Sequence, residues 1–568
     1  MKIKLLINYY YHRFISLWWG LLIIGLIIPS ILPLFRHDFF HMHDYTHVAR
    51  LYEMDKAIKD GHFPMRWSKD LGWGYGMPLF NFYAPLPYYF AEIFHLLGFT
   101  FLDSIKICFG ATFFIAFLGM FLLAKKLWGN LGGILSGLAF VYSPYRSVDF
   151  YVRGALGELF GISLIPLSIW AIWQLIEKRT PKKLVIATLA MACLFLSHTV
   201  LTLIVIPVML FIATFFIIIN KKRIKGCFYF ITSFLLSLSL SSFFLLPAFF
   251  EKKFTQVNKL TEGFSYYGHH FLYWRQFLSG TWGYGGSVDS IPDGISFHLG
   301  KLHLLLAIIT LLCSIVYFFT KKKIDKRGLT VLFFFFLGFG CAFLSTYKAK
   351  PIWDALPLMA YIQFPWRFNS FIIVFLGFLI GGSYYYLQKL NTKIAIIFLI
   401  LLIGIFLKLN IRYFKPEAYI DSSLLYYTDE TLIKKQMSGI IPDYIPLWVK
   451  LVPQIIPEKD YEIISGDPYV EVKESKTQKL ALEISSQDKS RILLNRFYFP
   501  GWEASINNKK VSFDYQENNG IIGFNLPAGN LSLTLEFKPT KIRLISDIIS
   551  LTSLLILGGI FVSRKKIS

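Results

Sequence analysis

Charge is scarce in this chain. Only 16% of its 568 residues are Asp, Glu, Lys or Arg, against 55% hydrophobic, and mean hydropathy is +0.52. That balance excludes an ordinary soluble globular protein and makes lipid the main solvent. Acidic residues are scarcer than basic ones, 35 against 58. The excess does not indicate nucleic acid, because much of the Lys and Arg lies in short clusters between apolar runs, where it sets membrane orientation. Cysteine is rare: Cys108, Cys193, Cys227, Cys313 and Cys341 all fall inside apolar stretches, without metal-ligand spacing or a paired pattern, so no disulfide or zinc framework is indicated. A Gly-x-x-x-x-Gly-Lys-Ser/Thr phosphate loop and a His-Glu-x-x-His zinc motif are both missing. Gly72-Trp73-Gly74-Tyr75-Gly76 has no strand before it and reads as a turn. No internal repeat supports the inverted halves of a secondary transporter. Aromatics, in contrast, reach 18%, too many large apolar groups for disorder.

A spanning helix needs roughly 20 apolar residues, and on that scale the chain holds about twelve candidates. The first, Ser16 to Phe35, follows Lys2, Lys4 and Arg13. It is too long for a secretory h-region and lacks a small-x-small cleavage site, so it reads as a retained anchor. The basic clusters at Lys125–Lys126, Lys178–Lys183, Lys221–Lys225, Lys321–Arg327, Lys389–Lys393 and Arg564–Lys566 share one side when both termini are cytoplasmic in a multi-pass protein of the cell membrane. The same count requires Phe82 to Gly98 not to cross; Pro85, Pro87 and the tyrosines there suit an interfacial helix, with a re-entrant hairpin as the alternative. The expected organisation is a transmembrane domain over 1–412 with outer loops 36–102 and 251–300, an extracytoplasmic domain over 413–541, and a last helix with a basic cytoplasmic tail over 542–568. Alternating segments at Leu480–Ser485, Arg491–Phe497, Val511–Tyr515, Ile521–Leu526 and Leu531–Phe537, with turns at Asn507-Asn508, Asn519-Gly520 and Pro527-Ala528-Gly529, predict a small antiparallel β-sandwich in the later part of that domain.

The polar residues that stand out lie at the outer ends of the apolar runs. On a helix over about Tyr45 to Lys59, Asp44, His47 and Arg50 share a face. A carboxylate that near the bilayer needs a partner, which marks a functional site; the alternative is that Asp44 N-caps the helix and the histidines decorate the interface. Beyond the third span, Arg146, Asp149, Arg153 and Glu158 mix two cations with two carboxylates. Arg153 or a bound cation is the expected partner of Glu158, and a structural ion pair between helices is the alternative. His198 at the next outward turn suits a cap or packing contact as well as a ligand. Gln363-Phe364-Pro365-Trp366-Arg367 opens the tenth span, where Arg367 and Trp366 at headgroup level suit a lipid phosphate or an ordinary interfacial anchor. The aromatic, glycine-rich Trp282-Gly283-Tyr284-Gly285-Gly286-Ser287 has the character of a sugar-binding lid.

The run His43-Asp44-Tyr45-Thr46-His47-Val48-Ala49-Arg50, with Gly61-His62-Phe63-Pro64, Leu71-Gly72-Trp73-Gly74-Tyr75-Gly76, Ser143-Pro144-Tyr145-Arg146, Arg153-Gly154-Ala155 and Gln363-Phe364-Pro365-Trp366-Arg367, resembles bacterial multi-pass proteins catalogued as 6-pyruvoyl-tetrahydropterin-synthase-related. Phe499-Pro500-Gly501-Trp502 with Leu526-Pro527-Ala528-Gly529 is similar to the C-terminal domain of YfhO-type proteins, and both groups are similar to GT-C glycosyltransferases. The pterin label does not imply pterin chemistry, since that soluble synthase is a zinc enzyme with a histidine cluster and no equivalent polar domain is present. The GT-C resemblance implies an acid in the first outer loop, an interfacial helix after it and a lipid-phosphate sugar donor. On that footing the chain is expected to be a glycosyltransferase-like membrane protein moving a sugar from a polyprenyl-phosphate donor to an extracytoplasmic envelope glycan or lipid acceptor. A lipid or glycan transporter, or a non-catalytic envelope-assembly scaffold using the same groove, is the alternative. Asp44, His47, Asp149 and Glu158 would be the catalytic set; Arg50, Arg153, His198, Trp282, Gln363, Trp366 and Arg367 would bind substrate. A divalent cation, Mg or Mn, is the one cofactor considered, at Asp44 and Glu158, and Asp44 departs from the family pattern in having no close second carboxylate.

Overall fold

An apolar run surrounded by lipid satisfies its backbone only as a helix, and among the described residues nine helices are long and apolar enough to cross a membrane. The computed structural model describes residues 20–289, 294–322, 325–420, 429–434 and 444–562. The predicted start of the first span at Ser16, the basic residues Lys2, Lys4 and Arg13, and the Arg564–Lys566 cluster lie outside them. The 41-residue helix Phe101–Val141 is two arms rather than one rod: Gly129 has φ 72° and ψ −177°, a conformation that glycine adopts without a Cβ penalty. Past it, Gly133 and Gly137 lie against Phe121 and Phe117, so the chain doubles back. Counting both arms, Gly20–Phe35 and the 15-residue Pro181–Phe195 gives the twelve apolar helices expected.

The bundle packs through small residues. A Cβ on Gly381 would sit 2.5 Å from the Gly132 carbonyl oxygen, and the Gly381 amide donates to Ser136 Oγ at 3.0 Å. Helix Asn369–Leu390 therefore approaches the second arm of the hairpin almost backbone to backbone. Segment Leu86–Leu96 forms a single helix of 11 residues. At 1.5 Å per residue it is about 16 Å long, too short for a hydrocarbon core of about 30 Å. It is one short helix rather than a helical hairpin, with Pro87 in its first turn and Ile93, Leu96 and Leu97 exposed along one edge.

The chain then builds ten strands, β1 Phe39–Phe40, β2 Tyr419–Ile420, β3 Tyr461–Ser465, β4 Tyr469–Ser475, β5 Lys479–Ser486, β6 Ser490–Phe497, β7 Trp502–Ile506, β8 Lys509–Val511, β9 Ile521–Leu526 and β10 Gly529–Phe537. A five-stranded sheet runs β4-β5-β10-β7-β8 and a three-stranded sheet runs β3-β6-β9, all antiparallel. Alternate residues of β5 and β10 are buried, the pattern of a sheet with one covered face. Asn507 and Asn508, at φ 49° and 63°, make the tight β7–β8 turn that needs two left-handed residues. Strands β3, β4 and β7 were not anticipated, and the strand expected over Val511–Tyr515 ends at Val511, with only Asp514 bridging to Gly523.

This domain is docked on the loop between the first two apolar helices as well as joined to the last helix. Tyr75 stacks on Phe497 at 4.9 Å, and Trp67 packs edge-on against Trp502 at 5.3 Å. Asp60 accepts from Thr477 N at 2.6 Å. At its base, Glu251 pairs with Arg543 at 2.9 Å and Arg66 with Asp547 at 2.6 Å, so helix Lys541–Val562 is bolted to two loops of the bundle. β1 pairs with β2 (Phe39↔Ile420), returning the chain after the twelfth-but-one helix to the segment just ahead of Asp44.

Candidate functional site

Asp44 is placed by its own backbone. Its N–H donates to the Arg153 carbonyl oxygen at 2.9 Å, and the His43 N–H to the Val152 carbonyl at 3.0 Å. Helix His47–Lys59 then starts from Thr46, which occupies the N-cap position, while Thr46 Oγ1 donates to Asp44 Oδ1 at 3.0 Å. Asp44 therefore is not the cap. Its carboxylate faces Arg50 in a two-point pair, at 3.1 Å and 3.2 Å, while Arg50 also donates to Tyr83 Oη at 2.8 Å and Tyr88 Oη at 3.0 Å. Burial raises the proton affinity of Asp44, but the charges of Arg50 and His47 outweigh it and hold the carboxyl well below the usual carboxylate range. His47 is buried, its Nδ1 against Tyr88 Oη at 2.8 Å and its Nε2 against the Gly154 carbonyl oxygen at 2.5 Å. It clamps helix to loop.

The facing wall is the Ser143–Glu158 segment. A π-helical turn over Val148–Val152 carries Asp149 and leads into Arg153, whose carbonyl oxygen receives the Asp44 N–H; such one-residue expansions re-aim side chains at functional sites. Arg153 pairs with Asp149 and, at 2.8 Å, with Glu158. Arg367 reaches the same Glu158 oxygen from the tenth span at 3.4 Å. Burial, then the neighbouring Glu158 charge, raises the pKa of Asp149. Both carboxylates are 0% exposed and stand behind the guanidiniums as their support. Gly154 holds the bend: φ is 62°, and a Cβ there would fall 2.1 Å from Met42 Sδ. Gly154→Ala is expected to cost about 2 kcal/mol or more from the left-handed backbone and the clash together, seen as a lower melting temperature of the purified full chain.

These walls enclose a cavity of about 480 Å³ lined by His43, Asp44, Arg50, Tyr83, Arg153, His198, Ser287, Gln363, Phe364, Trp366, Arg367 and Tyr444, among others. Seven of the residues singled out in the sequence thus meet in one place: Asp44, Arg50, Arg153, His198, Gln363, Trp366 and Arg367. His198 also caps helix Thr199–Ile218, its Nδ1 accepting from Leu201 N at 3.0 Å. Gln363 sits at φ 64° and its Oε1 accepts from Arg367 at 2.9 Å. Trp366 lies under Arg153 at 4.5 Å and against Phe364 at 4.9 Å. Trp282 does not line the cavity; it stacks on Tyr413 at 4.6 Å, and the lid residues that do reach it are Gly286 and Ser287. His43 and Ser287 entered the sequence reading only as members of longer runs, and Tyr444 went unremarked there.

The donor set does not fit a resident divalent cation. Both Asp44 oxygens face Arg50, Glu158 is engaged by Arg153, Arg367 and Ser370, and among the described residues no group of three or more His, Cys, Asp or Glu converges to hold a metal. A guanidinium lining with one carboxylate suits an anion beside a neutral hydroxyl compound.

Comparison with known proteins adds a family. A Lactococcus lactis subsp. cremoris protein, described as uncharacterized, is 26% identical over 238 residues, which is 40% of this chain and 38% of that one. Among solved structures, the arabinofuranosyltransferase AftD from Mycobacteria overlays with a TM-score of 0.44 at 13% identity, covering 70% of this chain and 27% of AftD. The Archaeoglobus fulgidus oligosaccharyltransferase gives 0.46 at 13% identity, over 77% and 60%. ArnT from Cupriavidus metallidurans bound to undecaprenyl phosphate gives 0.29 at 12%, over 74% and 88%. The chain thus spans well under half of the Lactococcus protein and of AftD. The family model for the 6-pyruvoyl-tetrahydropterin synthase related domain, a membrane protein, matches residues 80–413, more than half of the chain, and this protein belongs to that family of membrane proteins.

Proposed function

We propose that the protein is a membrane glycosyltransferase that moves a sugar from a polyprenyl-phosphate donor to a hydroxyl of an extracytoplasmic envelope glycan or lipid. The observation that carries this reading is the convergence of Arg50, Arg153 and Arg367 with a single lining carboxylate, Asp44, on one cavity at the outer ends of the spans. Arginine forks match the oxygens of a phosphate. As the anomeric carbon leaves the donor, the C–O bond to phosphate breaks with both electrons on oxygen, and the guanidiniums neutralise the charge that develops there. Asp44, kept ionised by Arg50, faces the positive charge that grows on the sugar ring. The rings of Trp366, Phe364 and Tyr444 line the cavity and give the sugar or the first isoprene units an apolar wall. No step runs through a metal.

The test uses the full chain in lipid nanodiscs with undecaprenyl phosphate and undecaprenol as paired probes. The phosphate is expected to be retained at least about tenfold better than the alcohol, roughly 1.4 kcal/mol, with the preference lost in Arg153→Ala. Equal retention of the two lipids would overturn the reading.

A further inference from the structure

A hydrogen-bonded chain leaves the cavity wall that the reaction above does not use. The Trp366 indole N–H donates to Ser287 Oγ at 3.3 Å, and Ser287 Oγ lies 2.5 Å from His270 Nδ1. The other ring nitrogen, His270 Nε2, lies 2.6 Å from the Phe264 carbonyl oxygen. A carbonyl only accepts, so Nε2 carries the hydrogen. In the neutral ring Nδ1 is then the bare lone pair, and the Ser287 hydroxyl donates to it. His270 is 2% exposed, packed between the rings of Phe264 at 5.1 Å and Phe364 at 4.7 Å. Ser287 lines the cavity itself. A hydroxyl on the wall, a base aimed at its proton and a third group fixing the tautomer of that base are the parts of an activated hydroxyl. Asp44, by contrast, stores a proton poorly, because Arg50 occupies both of its oxygens.

We propose that His270, acting through Ser287, is the proton acceptor of this cavity. As the substrate hydroxyl attacks the sugar, its proton passes to Ser287 Oγ while the Ser287 proton passes to His270 Nδ1, leaving an imidazolium braced on the Phe264 carbonyl. The substrate in this step rests on the transfer reading; the activated state of Ser287 does not. Burial, the largest influence, lowers the His270 pKa below its usual 6.5; the Phe264 hydrogen bond and Asp289 oppose it, and His269 and Arg367 add to it. The ring is therefore neutral, and the relay open, at neutral pH.

A fluorophosphonate probe tests this on the full chain in nanodiscs with no sugar donor present. Ser287 Oγ attacks phosphorus, fluoride departs, and the hydroxyl proton goes to His270. Mass spectrometry is expected to find the adduct on Ser287, absent in Ser287→Ala. In His270→Asn, whose amide still accepts the Ser287 hydrogen bond without taking the proton, labelling falls at least about tenfold. In the wild-type chain the labelling rate rises with pH through a midpoint below 6.5 and then levels, because only neutral His270 accepts the proton. An unlabelled Ser287 above neutral pH, an unchanged rate in His270→Asn, or a flat wild-type pH profile each overturns the proposal. Labelling without any preference for undecaprenyl phosphate removes the transfer reading alone, whereas that preference with an inert Ser287 removes the relay alone.

Discussion

Glu158→Gln lowers the melting temperature of the full chain sharply, with an expected loss of about 3–5 kcal/mol. The reason is the number of groups this one buried carboxylate serves. It pairs with Arg153 at 2.8 Å and with Arg367 at 3.4 Å, and its second oxygen takes the Ser370 hydroxyl at 3.4 Å. The two guanidinium side chains are only 11% and 8% exposed, so water does not replace the lost charge. Arg153 retains Asp149, whereas Arg367 keeps, among the described residues, the neutral Ile362 carbonyl, the Gln363 amide oxygen and the Phe364 ring. Removing one partner of a buried pair leaves an uncompensated charge, which costs more than the intact pair contributes. The measurement is thermal unfolding in detergent at fixed protein and lipid. An unchanged melting temperature would mean that water or lipid reaches Arg367 and that the wall is not the sealed support described above.

Asp44→Asn separates glycosyl transfer from transport. Glycosyl transfer is expected to fall by roughly 10²–10³-fold, the usual cost of removing one charge-stabilising group at a reacting centre. Retention of undecaprenyl phosphate should hold or improve, because the substitution frees Arg50 and removes the one carboxylate lining the cavity among the described residues. The two quantities are read together, product by mass spectrometry of envelope glycans from the variant strain and retention on the purified chain. Wild-type product levels in that strain would remove Asp44 from the reaction, and movement of a lipid-linked sugar with no product in the parent would favour transport. Weakened retention would show that Asp44 acts by placing Arg50 rather than by meeting the substrate.

Much of the architecture was legible along the chain. Apolar runs of spanning length, the basic clusters between them, and the alternation in β5, β6, β9 and β10 each express a short-range periodicity. That the segment around Leu86–Leu96 is not a span followed from counting crossings, and its 11-residue helix is too short to be one. Helical spacing put Asp44, His47 and Arg50 on one face, although Asp44 lies ahead of the Thr46 N-cap and meets Arg50 from outside the helix; Arg153 was the expected partner of Glu158 from its place in the chain. The strands missed, β3, β4 and β7, have weaker local patterns: β3 and β4 sit at sheet edges and are largely exposed.

Residues alone established a polytopic membrane protein with a β-domain and nominated most of the polar groups that line its cavity. Assembly decided the rest: that Arg367 and Glu158, 209 positions apart, share a pair, that Asp149 and Glu158 stand behind the wall rather than on it, that Thr46 and not Asp44 holds the N-cap, and that a serine in a glycine-rich loop meets His270. Periodicity governs which face of an element a residue takes, over a few positions at most. Which faces meet depends on close packing and on the cost of leaving a charge or a hydrogen-bond donor alone in a medium without water, and those are settled only when distant segments come together.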